Sequence, residues 1–297
     1  MARAAFAPAK LNLFLHVGAP AAGGYHPVCT LMAFADVGDR ISTFEAEALC
    51  LAAAGPFAGD LGEPDENLVL RAARALIAEA RHPLAPIGLR LEKRLPVASG
   101  LGGGSSDAGA ALRILREALK LRIDNDRLQA LAAGLGADGA ACLWGAPVLA
   151  QGRGDRLGAA PGLPPLDAVL VRPPVAVSTS AVYRRFDELG RFSDVAPPAM
   201  PDAFEDAADL AAWMAGQRND LEPAALDIAP EVATVLETLA GEPEVLLARV
   251  SGSGGACFGL CASDIEAEAV AERLKALAPA WWVRRCRLGG PWPDPEG

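Results

Sequence analysis

The chain has 297 residues, 52% of them apolar, and a formal net charge of −10. That length and composition can supply two domains with a sizeable core. The acidic balance carries no basic stripe, which excludes nucleic acid as an expected partner, and no apolar run is long enough for a membrane span.

From the N-terminus, Arg3 precedes apolar residues as in a secretory leader. Lys10, Asn12 and His16 break up the segment, so no signal is expected. Residues 9–17 alternate: Leu11, Leu13, Leu15 and Val17 point one way, Lys10, Asn12 and His16 the other. A strand there presents a lysine and an amide two residues apart, and by itself such a lysine reads as a solvated edge charge. Gly23-Gly24-Tyr25-His26-Pro27 reads as a turn ending in an aromatic and an imidazole. Strands are expected at Asp39–Glu47 and Ile87–Arg94, with a helix over Asn67–Ala80 between them.

The segment Pro96, Val97, Ala98, Ser99, Gly100, Leu101, Gly102, Gly103, Gly104, Ser105 and Ser106 follows a strand and opens into a helix reaching Leu121. Glycines leave the amides bare, the two serines are expected to cap the helix, and its N-terminus favours an anion. The loop therefore reads as a phosphate cradle. It lacks the lysine of a Walker A loop and the third glycine of a dinucleotide fingerprint. A second helix is expected from Asn125 to Gly136, and Asp138 follows it at a position that by itself suggests only a cap.

Gly158–Pro165 is rich in glycine and proline and marks the expected boundary between domains 1–157 and 158–297. Beyond it come a strand at 168–171, a helix at 180–189 after the Ser178-Thr179 cap, and a proline-rich surface loop at 193–201. Helices are expected at 203–215, 219–226 and 230–240. A strand at 245–250 enters a second glycine/serine loop, Ser251 to Gly255, before a strand, a helix at 264–278 and a last strand at 281–288. The six cysteines are scattered, without metal-ligand spacing, and are expected to be reduced thiols of a cytoplasmic protein.

Three segments, in this order, resemble the GHMP small-molecule kinases: Pro8-Ala9-Lys10-Leu11-Asn12-Leu13, the loop at 96–106, and Val250–Phe258. The resemblance spans nearly the whole chain. It implies an α+β, two-domain fold, with an N-terminal domain like one found in a small-subunit ribosomal protein and a ferredoxin-like α+β C-terminal domain. Gly24-Tyr25-His26, Asp65-Glu66-Asn67-Leu68, Leu135-Gly136-Ala137-Asp138 and Asn219-Asp220-Leu221-Glu222 match members whose acceptor carries a cytidine diphosphate group.

For those members the resemblance implies transfer of the γ-phosphoryl of ATP to the 2-hydroxyl of a methylerythritol moiety, a step toward isoprenoid precursors. Carried over, Asp138 would accept the hydroxyl proton, with Lys10 paired to it and to the phosphoryl. The loop 96–106 would hold ATP, and Ser105 or Ser106 would reach Mg2+. Tyr25 and Tyr183 would stack on the base, with Thr179 in the segment that bears the second ring, and His26 would hydrogen-bond the base. Asn12 would hold the acceptor's other end, and Gly252, Ser253 and Gly254 would close around it. A monomer or weak homodimer is expected. A homoserine- or mevalonate-type kinase, or a non-catalytic sensor, stands as the alternative. Two positions depart from the family pattern. Asp107 stands where asparagine is common and is expected to add negative charge near the phosphates. Gly139-Ala140-Ala141-Cys142 replaces Val-Pro and an aromatic, and is expected to loosen the segment carrying Asp138.

Overall fold

Alternation in the first strand sorts its side chains between two environments. In the computed structural model, which describes residues 3–294, β1 (Ala4–Val17) sends Leu11 and Leu13 into a core and leaves Lys10 and Asn12 on the wall of a cleft. β2 (Val28–Glu45) pairs with it antiparallel along almost its full length. β3 (Cys50–Ala54) and β4 (Ile87–Glu92) extend the sheet on one side, with α1 (Leu68–Ile77) between them in sequence. α2 (Gly103–Ala118), α3 (Asn125–Ala133) and α4 (Gly139–Trp144) follow, and then the hairpin of β5 (Val148–Gly152) and β6 (Arg156–Ala159).

The second half runs β7 (Leu166–Arg172), α5 (Thr179–Leu189), α6 (Ala207–Ala215), α7 (Glu222–Ile228), α8 (Pro230–Ala240), β8 (Val245–Val250), β9 (Cys257–Cys261), α9 (Asp264–Leu277) and β10 (Trp282–Gly289). Its strands lie in the order β10-β7-β9-β8, all antiparallel, which is the ferredoxin-like arrangement. β10 also pairs with β2 through Leu288–Ala35 and Gly289–Phe34, so the strands of both halves join in one ten-stranded sheet among the described residues. The expected division at 157/158 falls inside β6.

The three larger of four cores among the described residues follow from the period-two and helical patterns. In β7, Leu166, Ala168 and Leu170 face a core covered by α6, while Val169 and Val171 face another built with α5, α7, α8 and α9. α1, α2 and α3 bury Leu76, Leu112 and Leu128 against Ile41, Leu89 and Leu91 of the first-half sheet. All six cysteines are free thiols, and five of them are buried. No helix among the described residues is long and apolar enough to cross a membrane.

The expected looseness around Asp138 is not found. α4 is helical and buried, and Gly139 is the reason it can sit so close: a Cβ there would collide with the carbonyl oxygen of Ala132 in α3. Gly139→Ala is expected to lower stability by about 1–3 kcal/mol through this overpacking. Urea unfolding would show it, and an unchanged midpoint would remove the steric reason for glycine at this position.

Candidate active site

Side-chain caps are absent at α2, as they are at α4, α7 and α8. α1, α3, α5, α6 and α9 each begin with a side chain that accepts a first-turn N–H: Asn67, Asp124, Ser178, Asp206 and Ser263. α2 begins after Gly102 in the left-handed region, φ +64°, with no side-chain cap. The serines expected to cap α2 instead lie inside its first turns. Gly102 to Ser105 line a cleft of about 790 Å³, so uncapped amides at a helix N-terminus open into it.

The loop before α2 is held by the second half of the chain. The Ser99 carbonyl accepts from Ala256 N–H at 2.8 Å, and the Gly100 carbonyl accepts from Ser251 Oγ at 3.2 Å. Gly100, φ +76°, lies flat on the second glycine loop, where a Cβ would collide with the Ser251 carbonyl oxygen. Asn219 braces that second loop by donating to the carbonyls of Val250 and Gly252 at 2.9 and 2.7 Å. Ala98, a non-glycine at φ +51°, carries the strain that such a cradle tolerates.

Lys10 is buried, with its stem crossing Gly102 and its ammonium 3.2 Å from Asp138, 2.8 Å from Asn12 Oδ1 and 3.4 Å from the Gly100 carbonyl. It is not a solvated edge charge. Asp138 stands at the N-cap position of α4 but makes no capping bond; its partly exposed carboxylate turns to Lys10 instead. Asn12 is fixed at both ends, accepting from Lys10 and donating to Thr30 Oγ1 at 2.8 Å.

At the other end, Tyr25 and Tyr183 line the same cleft. The His26 ring lies 5.1 Å from the Tyr183 ring, centroid to centroid. Its Nδ1 faces the Gly18 carbonyl at 2.9 Å and its Nε2 faces Asp187 at 3.2 Å. Both ring nitrogens are thus engaged in holding the turn against α5, which amends the expectation that the ring bonds a base. Burial pushes the Tyr183 phenol up to about 12, so it stays protonated. Thr179 and Ser253 join hydroxyls at 2.9 Å on the cleft wall.

Of the expected residues, Leu101, Ser106 and Gly254 are not on that wall. Ser106 is fully buried in α2 beside the Cys142 thiol, which corrects its expected share in a metal site. Gly254 packs under Val250 and Ala225.

Asp107 also departs from expectation. It is buried and accepts from Lys93 Nζ at 2.8 Å, and the same ammonium lies 2.5 Å from Asp39. Burial pushes the Asp107 carboxyl up to about 8. Burial alone would lower Lys93, but the carboxylates of Asp107 and Asp39 outweigh it and raise it above the usual lysine value. Gly103 leaves room for this ammonium, 3.0 Å from where a Cβ would stand. The triad therefore sits directly under the start of α2, and Lys93 and Asp107 line the cleft. Sequence reasoning missed Lys93, because Glu92-Lys93-Arg94 has the pattern of a solvated run.

An uncapped helix start, a lysine–carboxylate pair and two tyrosine rings thus share one cleft. The family model described as GHMP kinases N terminal domain matches residues 67–146, and GHMP kinases C terminal matches residues 199–280. The chain belongs to the GHMP kinase family. A 4-diphosphocytidyl-2-C-methyl-D-erythritol kinase of Caulobacter sp. (strain K31) is 57% identical, over 97% of this chain and 99% of its own length. A kinase of the same name from Hyphomonas neptunium is 46% identical, over 96% of each chain. A crystal structure of 4-(cytidine 5'-diphospho)-2C-methyl-D-erythritol kinase superimposes on this GHMP kinase with TM-score 0.75 at 35% identity, covering 98% of this chain and 100% of that one. Homoserine kinase from Cytophaga hutchinsonii shares the fold, TM-score 0.72 at 20% identity, over 97% and 95% of the two chains.

Proposed function

We propose that this GHMP kinase transfers the γ-phosphoryl of ATP to the 2-hydroxyl of 4-diphosphocytidyl-2-C-methyl-D-erythritol, giving the 2-phosphate and ADP. The observation that carries it is the continuity of one cleft from the uncapped start of α2, past Lys10 and Asp138, to Tyr25 and Tyr183. High identity to kinases of that name supports the choice of acceptor over the homoserine and mevalonate types.

Phosphoryl transfer depends on positioning and charge neutralisation more than on covalent help from the protein. The amides of Gly103, Gly104 and Ser105 hold the triphosphate. Asp138 takes the proton of the attacking hydroxyl, and Lys10 pairs with that carboxylate and faces the transferring group. Ser105, the hydroxyl at the uncapped helix start, fits Mg2+ carried largely by phosphate oxygens and water. That ion would neutralise charge on the triphosphate. Asn12 is fixed to orient the acceptor's polyol end, and Tyr25 and Tyr183 clamp its cytosine.

ADP release measured with the cytidyl acceptor beside homoserine and mevalonate tests the proposal; turnover of either of the latter in place of the cytidyl acceptor would refute it. Tyr25→Ala is expected to raise the acceptor's KM about tenfold or more, one stacked base being worth ~1–3 kcal/mol. KM for ATP should stay as it was. An unchanged acceptor KM would place the cytosine elsewhere.

A further inference from the structure

Among the described residues, the lysines and arginines lining the cleft are Lys10, Lys93, Arg153 and Arg184. Lys10 is neutralised by Asp138, and Lys93 by Asp39 and Asp107. Arg153 and Arg184 have no carboxylate partner among the described residues, and of these two Arg153 has the more informative position.

Arg153 is exposed at the tip of the β5–β6 hairpin. Gly152 and Gly154, at φ +71° and +92°, make the turn, and Arg153 N–H donates to Asp155 Oδ1 at 2.9 Å. On one side its guanidinium carbon lies 4.8 Å from the centroid of the Tyr25 ring. On the other, Gly154 packs backbone to backbone on Ala137, where a Cβ would collide with the Ala137 carbonyl oxygen. Ala137 immediately precedes Asp138. The arginine is therefore mounted between the ring at the base end of the cleft and the carboxylate at its reacting end.

We propose that Arg153 holds the diphosphate of a nucleoside-diphosphate acceptor. The inference rests on the cytidyl acceptor proposed above and adds the group that binds its most charged part. An acceptor with its base on Tyr25 and its hydroxyl at Asp138 must pass its diphosphate across this turn. Asp138 and Asp187, which also line the cleft, supply it with no positive charge. A planar guanidinium matches two phosphate oxygens at once, and stacking on Tyr25 holds its plane before the ligand arrives. The uncapped start of α2 serves the other phosphate chain, that of ATP, so the two anionic substrates meet separate cationic features.

The test compares cytidine, CMP and CDP binding to the intact wild-type protein and to Arg153→Met by calorimetry, with KM for ATP measured alongside. In the wild type CDP should bind more tightly than cytidine, by a margin that shrinks as salt is added. In Arg153→Met that margin should fall by roughly ten- to a hundredfold, the loss of charge-assisted hydrogen bonds. Cytidine affinity and KM for ATP should move little, which also shows the variant is folded. Arg153→Lys should recover part of the margin. An unchanged CDP-over-cytidine ratio in Arg153→Met overturns the role of Arg153 and leaves the acceptor intact. Binding of ATP but of no cytidine ligand by the wild type overturns the acceptor, and the Arg153 role with it.

Discussion

Asp138→Asn is expected to lower kcat by about 10²–10⁴-fold, the usual contribution of a positioned general base, while the Kd for ATP stays unchanged. Asparagine has the same shape and keeps the N-cap position of α4, where the native side chain makes no capping bond. Lys10 does not lose its surroundings either, since Asn12 Oδ1 and the Gly100 carbonyl still accept from its ammonium. What is lost is the ability to take a proton 3.2 Å from that ammonium. Lys10→Met would be less clean, because it strips a buried bond from Asn12 and leaves Asp138 without its counter-charge. Single-turnover kinetics on Asp138→Asn separate the chemical step from binding; a kcat within threefold of wild type would take the aspartate out of the mechanism.

The pairing of Lys10 with Asp138 was legible in the sequence only as a resemblance, because 128 positions separate two residues whose local patterns suggest an edge charge and a cap. The glycine loop's place before a helix with bare first-turn amides was legible on physical grounds alone. So were the helices with strong period, such as α1 and α8, and the strand β8, which runs over the expected residues 245–250. β3, β5, β6 and the first half of β2 were not. Cys50–Ala54 is mostly alanine, and residues 29–35 are a largely apolar run without alternation because both faces are buried. Their strand character comes from pairing partners that local sequence does not carry.

The same limit hid part of the site. Arg153 looks like a hairpin-tip charge until the hairpin is seen seated on Ala137 and under Tyr25. Ser105 and Ser106 look equivalent in sequence. The helical turn sends one to the cleft and the other into the core beside Cys142, a difference of one residue and about 100° around the helix.

Lys93→Met should destabilise the fold by about 3–5 kcal/mol, as breaking a buried ion pair does. The ammonium is the shared partner of Asp39 and Asp107, and without it two buried carboxylates face one another. Asp39 keeps two donors, the N–H groups of Arg94 and Leu95 at 2.6 and 2.8 Å. Asp107 keeps no N–H donor, only the neighbouring Asp39 carboxyl, and its other oxygen already lacks a partner. The pH dependence follows from the direction of the Asp107 shift. Its folded value, about 8, lies above its ordinary value of 3.8, so the folded state binds the proton more tightly than the unfolded chain. Stability attributable to this carboxyl is therefore greatest below pH ~4 and declines as pH rises through ~8. Removing Lys93 takes away the group that opposes this shift, so the loss in Lys93→Met should be larger at pH 8 than at pH 5. The double variant Lys93→Met/Asp107→Asn should recover much of it, since Asp39 is then the one remaining carboxylate and is still bonded by backbone. Denaturant unfolding of the single and double variants at both pH values gives the coupling directly. A Lys93→Met protein as stable as wild type at pH 8 would mean that the ammonium is not what holds the start of α2 to β2 and β4.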